Sequence, residues 1–214
     1  MKQIKAKLIA VLIFSIASTI SVAGASEAML KRFFVEVNTL QADFSQQIVD
    51  ERGTTLETKS GIFSLSRPGK FRWNYVNQDA EDDVGQQIIS DGRLITFYEP
   101  DLETAHQRRM QDALEQVPTL LLVQSGESLQ RHFTVTDYAL TDGLTWVALK
   151  PKNKEAGYQG LMVGFAKQQI RSIVLTDGLG NETRLALSNV VSNPELEVST
   201  FEFTPSAGVD VIRQ

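Results

Sequence analysis

Residues 60–75 read SGIFSLSRPGKFRWNY, and this stretch decides the fold. Gly61, Phe63 and Leu65 share one side of a strand, because successive side chains of a strand point to opposite faces. Arg67-Pro68-Gly69 then breaks the alternation with residues typical of turns. In the six residues that follow, aromatic and polar side chains alternate again. The stretch therefore predicts two strands joined by a short turn.

The same period of two continues on both sides of this stretch. Residues 40–46 alternate apolar and polar side chains upstream. Downstream, Asp-Gly pairs at 91–92, 142–143 and 177–178 separate further apolar runs and supply turn chemistry. Alternation and turn signals together indicate about 11 strands. Short strands at regular spacing predict one large antiparallel sheet that is strongly curled or partly closed.

Helical patterns are scarce. Residues 26–37 carry Leu30, Phe33, Phe34 and Val37, the apolar stripe of an amphipathic helix. A second helical segment is predicted over residues 112–123, where Asp112 and Glu115 have the spacing of a capping box and Pro118 interrupts the helix. So few helices above a large curled sheet predict a lid over an apolar hollow.

The first 25 residues have the pattern of an export signal. Lys2, Lys5 and Lys7 precede an apolar run at residues 8–20, and Ala23-Gly24-Ala25 follows as a small-residue cleavage site. The apolar run is shorter than the ~20 residues of a membrane span. We expect residues 1–25 to be a cleaved signal peptide and residues 26–214 to form a single soluble domain, which lies in the periplasm if the source is a Gram-negative bacterium.

Charge and cysteine content exclude several classes of function. Beyond residue 25 the chain holds 18 Lys and Arg against 26 Asp and Glu, a net charge of −8. Such a surface repels nucleic acid, so no nucleic-acid partner is expected. The chain contains no cysteine, which excludes disulfides, a thiolate nucleophile and Cys-based metal sites.

Signals of catalysis are weak. His106 and His132 are the two histidines, but Gly126-Glu127-Ser128 lacks the second glycine of a nucleophile elbow. The acidic loop at residues 77–85 has the alternate acids of a calcium site, with Val84 where the sharp turn needs glycine. We therefore predict a protein that is not an enzyme and has no catalytic residue, cofactor or metal.

These motifs together resemble the periplasmic outer-membrane lipoprotein carrier family, LolA. The segment 60–75 is similar to the family signature, and LQADFSQ at 40–46 is similar to the strand after its first helix. Similar segments follow in order at 90–92, 113–122 and 203–212. The likeness spans almost the whole chain beyond residue 25.

The resemblance implies a fold and a role. The fold is mainly β with α (α+β): an unclosed antiparallel β-barrel with an α-helical lid over an apolar cavity. The family takes acylated lipoproteins from an inner-membrane ABC transporter, carries them across the periplasm and passes them to an outer-membrane receptor. We expect a monomer.

The resemblance also implies site residues. Phe34 and Phe71 match residues that the family uses at its acyl-chain cavity. Arg67 matches an arginine that hydrogen-bonds the lid, and carbonyls near Pro118 are its expected acceptors. Thr96 stands where the family often has Trp. With the large apolar residues of the predicted sheet face and helices, the full set predicted to line the cavity is Leu30, Phe34, Phe44, Phe63, Leu65, Phe71, Trp73 and Leu121.

Two other functions stay open on the sequence. One is a sensor or regulatory module of the same fold that binds lipids or peptides, which a separate regulatory domain or membrane anchor would mark. The other is a lipid hydrolase, in which His106 or His132 would be essential.

Overall fold

A computed structural model describes residues 25–76, 84–111 and 123–213. Within these ranges the chain forms two α-helices, two short 3₁₀-helices and twelve strands. The helices are α1 (Ala25–Glu36), α2 (Gly126–His132), η1 (Pro100–Leu102) and η2 (Val198–Phe201). The strands are β1 (Thr39–Val49), β2 (Thr55–Ser66), β3 (Lys70–Val76), β4 (Val84–Asp91), β5 (Leu94–Glu99), β6 (Thr104–Arg109), β7 (Phe133–Thr141), β8 (Leu144–Pro151), β9 (Tyr158–Ala166), β10 (Gln169–Asp177), β11 (Glu182–Ser192) and β12 (Asp210–Arg213).

All twelve strands of the described ranges belong to one sheet, with the order β12-β6-β5-β4-β3-β2-β1-β11-β10-β9-β8-β7. Residues 60–75 lie in β2, β3 and the turn between them, and the two strands pair antiparallel from Gly61 opposite Tyr75 to Ser66 opposite Lys70. In the ranges described, β7 and β12 are the two edges, so the sheet is unclosed. The predicted architecture is confirmed.

The sheet departs from the sequence prediction at its C-terminal edge. About 11 strands were expected, all antiparallel, and the described chain has twelve. The twelfth strand, β12, pairs parallel with β6, with Val211 opposite Ala105. Only four residues long, β12 is too short for alternation to reveal it.

Turn residues end the strands where the sequence indicated. Asp142 and Gly143 both have positive φ, 55° and 74°, as a two-residue hairpin turn requires. Gly69 and Gly92 also have positive φ. Gly69 lies in the turn between β2 and β3, and Gly92 lies in the turn between β4 and β5. The pair Lys167 and Gln168 forms a further turn with positive φ at both residues, which its composition did not reveal.

The apolar faces of the strands form the concave side of the curled sheet. Its core contains Leu40, Phe44, Leu65, Phe71 and Val163, each at most 3% exposed. The first helix covers this side at one end of the sheet, where it packs against β7 and β8, and α2 packs beside it.

The convex side of β3 to β6 is covered by the C-terminal segment. Phe201 in η2 is buried, and the ring of Phe203 packs on Tyr98 with 5.3 Å between centroids. Arg72 donates from Nη1 to the carbonyl of Thr200 at 3.2 Å and from Nη2 to Gln87 at 2.8 Å. This segment crosses the sheet from β11 and ends in β12.

Three predicted segments lie mostly outside the described residues. These are the signal peptide (1–25), of which residues 1–24 are outside, the acidic loop (77–85), of which 77–83 are outside, and the helical segment (112–123), of which 112–122 are outside. Among the helices of the described ranges, each is too short or too polar to cross a membrane.

Candidate functional site

The turn between β2 and β3 is the point at which the sheet meets the helices. The backbone N–H of Arg67 donates to the carbonyl of Asn38, just after α1, at 2.8 Å. The backbone N–H of Gly69 donates to the carbonyl of Val123, shortly before α2, at 2.9 Å. A single three-residue turn therefore contacts the chain at one end of each helix.

The side chain of Arg67 repeats this connection. Its Nη1 donates to the carbonyl of Val37, and its Nε donates to the carbonyl of Gln124 at 3.2 Å. The guanidinium also lies over two rings of α1, 4.4 Å from the centroid of Phe33 and 4.9 Å from that of Phe34. Carbonyls and ring faces are both favourable partners for a cation.

Burial lowers the pKa of the Arg67 guanidinium to about 10. The group therefore stays charged at neutral pH, so a cation is held beneath the two helices. Its desolvation is offset by the carbonyls and rings that surround it. The arrangement joins both helices to the sheet through one side chain.

The C-terminal end of α1 is fixed a second time by Asn193. Its Nδ2 donates to the carbonyl of Glu36 at 2.8 Å, and its Oδ1 accepts from the backbone N–H of Asn38 at 2.8 Å. This residue has a φ of 56°, a conformation that asparagine tolerates better than most residues. The end of α1 is therefore anchored to the sheet.

A cavity of about 480 Å³ lies between α1, α2 and β7. Its apolar lining comes from Leu30, Phe34, Val35, Leu129 and Val135. Charged residues of the two helices, among them Glu27, Lys31 and Glu127, line it as well. Its volume falls in the range of about 300–1,000 Å³ that is typical of small-ligand pockets.

The inner wall of the sheet is aromatic over β1, β2 and β3. The ring of Phe44 lies 4.7 Å from that of Trp73 and 5.1 Å from that of Tyr75, and Phe63 lies 4.2 Å from Trp73. The hydroxyl of Tyr75 donates to Gln46 Oε1 at 3.2 Å. Burial, and then the charge of Glu57, raises the pKa of Tyr75 to about 12, so the wall stays neutral there.

The predicted site residues fall into three groups. Leu30 and Phe34 line the cavity between the helices. Five residues lie in the packed inner wall: Phe44, Phe63, Leu65, Phe71 and Trp73. Leu121, and the region near Pro118 where acceptors of Arg67 were expected, lie outside the described residues. Arg67 meets carbonyls at Val37 and Gln124.

Several residues of the site could not be predicted from a sequence pattern. Leu129 and Val135 line the cavity, yet α2 has only seven residues and one fully apolar side chain, too few to show a helical period. Gly126 begins α2 against α1: a Cβ at this position would lie 3.2 Å from the Cβ of Phe34. Asn193 is 157 residues from Glu36 in the sequence, so only the folded structure shows that the two residues are in contact.

The two histidines lie in different parts of the structure. His106 is in β6 opposite Phe97, and His132 ends α2 and lines a different, polar groove. Among the described residues, no cluster of three or more His, Asp or Glu side chains has metal-site geometry.

The sequence was compared with known protein families and proteins. Residues 35–204 match the profile of the family described as "Outer membrane lipoprotein carrier protein LolA". The chain belongs to this family. It is 38% identical to the outer-membrane lipoprotein carrier protein of Methylococcus capsulatus over 86% of each chain. It is 32% identical to that of Bordetella avium over 99% of each chain.

Solved structures are similar to this LolA-family chain in fold. An uncharacterized conserved protein from Thermus thermophilus superposes with a TM-score of 0.54 at 9% identity, covering 89% of this chain and 99% of its own. A LolA superfamily protein from Nitrosomonas europaea gives a TM-score of 0.50 at 11% identity, covering 83% and 97%. At such low identity the likeness concerns the fold alone.

Proposed function

We propose that this protein carries acylated lipoproteins by burying their acyl chains between the two helices and the inner wall of the sheet. The observation that carries the proposal is Arg67, a partly buried cation that joins both helices to the sheet beside an apolar cavity. Family membership supports the same role, since the relatives above are named lipoprotein carriers.

The energetics suit a carrier without its own energy source. Each CH₂ group removed from water contributes about 0.8 kcal/mol, so ten groups contribute about 8 kcal/mol. A bilayer offers much the same gain, so transfer between membrane and carrier is nearly balanced. A small internal penalty on the loaded state then decides whether the cargo leaves.

Arg67 supplies that penalty in our proposal. The inner wall is covered in the structure, because Phe71 and Leu65 are at most 1% exposed. Acyl chains reach this wall only when α1 and α2 move away from it. Movement breaks the bonds of Arg67 to Val37 and Gln124, which costs about 1–3 kcal/mol for charged hydrogen bonds. Release restores them.

The proposed setting is the periplasm. Residues 1–25 direct export, and residues 26–214 act as the mature carrier. The donor of cargo is an inner-membrane ABC transporter, and the acceptor is an outer-membrane receptor with a better site for the acyl chains.

The test replaces Arg67 and follows both steps of transport. Arg67→Leu removes the bonds to both helix ends, so the loaded state loses its penalty. We expect the variant to take up an acylated lipoprotein as well as the wild type does, and to hand it to the receptor at least tenfold more slowly. Loading and handover are measured separately with purified carrier, cargo and receptor.

A matched control is Arg184→Leu, which removes an exposed arginine that pairs with Glu182 on β11. It should behave as wild type in both steps. Normal handover by Arg67→Leu would overturn the role of Arg67, and failure of the wild type to bind acylated lipoprotein would overturn the carrier function.

A further inference from the structure

The inner wall of the sheet carries a second arginine, Arg108, which has no part in the proposed role of Arg67. In the pairing of β5 with β6, Arg108 lies opposite Ile95 and His106 lies opposite Phe97. Ile95 is fully buried in the core, and Ile88, opposite Phe97 on β4, packs against the same core. Strand alternation therefore directs Arg108 toward the concave, apolar side.

Its surroundings agree with this direction. The guanidinium of Arg108 lies over the ring of Phe97, 5.1 Å from the centroid, and its Nε is shielded from solvent. The neighbours of Arg108 in β6 face the other way. Gln107 donates to the Thr96 hydroxyl at 3.1 Å on the convex side, and Arg109 is exposed.

Arg108 also lies near the end of the sheet at which the helices attach. Two residues further on, the backbone N–H of Met110 donates to the carbonyl of Arg93 in the turn between β4 and β5. That turn touches the turn of Arg67, since a Cβ on Gly69 would lie 3.3 Å from the Cα of Gly92 and 3.2 Å from the side chain of Gln124. The C-terminal end of β6, where Arg108 lies, is therefore close to the turns at which the chain beside α1 and α2 meets the sheet.

A cation on an apolar wall suits a ligand with polar atoms at one end. Fatty chains are joined to a lipoprotein through ester and amide carbonyls, which are hydrogen-bond acceptors at the head of each chain. A guanidinium stacked on a ring still presents N–H groups in its plane to such acceptors. A wall of apolar residues alone does not determine how deep along it an acyl chain binds.

We propose that Arg108 binds the ester carbonyl oxygens at the head of the acyl chains and so sets how deeply they enter the carrier. The inference rests on the proposed carrier function and specifies the chemistry that this part of the site recognises. Arg108 thereby distinguishes ester-linked acyl chains from hydrocarbon chains of the same length.

The experiment compares two lipopeptides that differ only in the linkage of their two chains, ester in one and ether in the other. The ether retains the chains and removes the carbonyl oxygens. We expect the wild type to bind the ester at least tenfold more tightly than the ether, as one charge-assisted hydrogen bond allows. Arg108→Leu should weaken ester binding about tenfold and leave ether binding within about twofold.

Controls separate this role from folding. Arg109→Leu removes the adjacent, exposed arginine and should leave both affinities unchanged. Arg108→Lys keeps a donor and should retain part of the preference for the ester, and thermal melting of each variant reports on its folding.

The other outcomes overturn the inference in distinguishable ways. If Arg108→Leu lowers the affinity for both lipopeptides by the same factor, Arg108 stabilises the wall and does not distinguish the ester from the ether. Equal binding of ester and ether by the wild type would also overturn the inference while leaving the carrier function intact. If the wild type binds neither lipopeptide, the carrier function itself fails.

Discussion

Gly61 lies where β3 and β1 approach β2 too closely for any side chain. A Cβ at this position would lie 1.9 Å from the backbone oxygen of Asn74 and 2.9 Å from the ring of Phe44. Backbone cannot yield as a flexible side chain can, so the pairing of β2 with β3 must distort. We expect Gly61→Ala to lower the free energy of unfolding by about 3 kcal/mol, measured by urea denaturation.

Gly157 provides the control for this prediction. A Cβ there meets no heavy atom within 4 Å, and the residue has no positive φ. Gly157→Ala should leave the urea midpoint unchanged within error. If the two variants unfold at the same midpoint, the close approach at Gly61 does not constrain the sheet.

At the scale of elements, α1 is held by its C-terminal end. Arg67 and Asn193 bond the carbonyls of Glu36 and Val37, whereas Leu30 and Phe34 border a cavity. Before its last turn, α1 contacts the sheet through its apolar face and through Arg32, which donates to Gln168. A helix with most of its hydrogen bonds to the sheet at one end and a cavity along one side can swing without unfolding, which a lid requires.

Asn193→Ala tests this anchoring. The variant loses the bonds to Glu36 and Asn38 and places a less tolerant residue at positive φ. We expect a loss of about 2 kcal/mol in the free energy of unfolding. We also expect faster amide hydrogen exchange over residues 33–38, measured by mass spectrometry.

Asn189, in β11 shortly before Asn193, is a matched control. It also has a positive φ, 49°, and its side chain makes an exposed bond to Asp43 at 2.6 Å. Asn189→Ala should destabilise the protein less and leave exchange in α1 unchanged. Equal exchange in α1 for the two variants would show that Asn193 does not anchor the helix.

The sequence predicted those helices and strands that show a recognisable residue pattern of their own. Most strands show an alternation of two or end at Asp-Gly pairs, and α1 has its four apolar residues at helical spacing. Two elements were missed because they are short: α2 has seven residues and β12 has four. Their conformations are fixed by what they pack against, namely α1 and β6.

The candidate site was predictable in part for the same reason. Large apolar residues on an alternating face indicate a wall, and Phe44 and Phe71 lie there. The partners of Arg67 are backbone carbonyls, and every residue has one, so no side-chain pattern singles out Val37 or Gln124. Arg108 was not noticed because only the register of β5 with β6 shows which face it occupies.

At the scale of the whole molecule, the sheet curls until distant strands share a surface. Arg109 at the end of β6 and Lys152 after β8 line one groove of about 1170 Å³, although several strands separate β6 from β8 in the sheet order. The α2 residue Arg131 lines the same groove. Residues from both ends of the sheet order therefore line this groove. Access to the inner wall then depends on how the helices sit between those ends.

A disulfide between the helices tests whether loading requires that movement. A Cβ on Gly126 would lie 3.2 Å from that of Phe34, close to the 3.5–4.5 Å of natural disulfides. The chain has no other cysteine, so Phe34→Cys combined with Gly126→Cys can form only this bridge within one molecule. We expect the oxidised variant to bind a fluorescent acylated lipopeptide at least tenfold more weakly than its own reduced form.

The reduced form carries the same substitutions, so loss of the Phe34 ring cannot explain a difference between the two states. Each single-cysteine variant should respond to oxidant and reductant without a change in binding. If the bridged and reduced forms bind equally, acyl chains enter without separation of α1 from α2. The opening between β7 and β12 would then be the route, and Arg67 would stabilise the fold without controlling release.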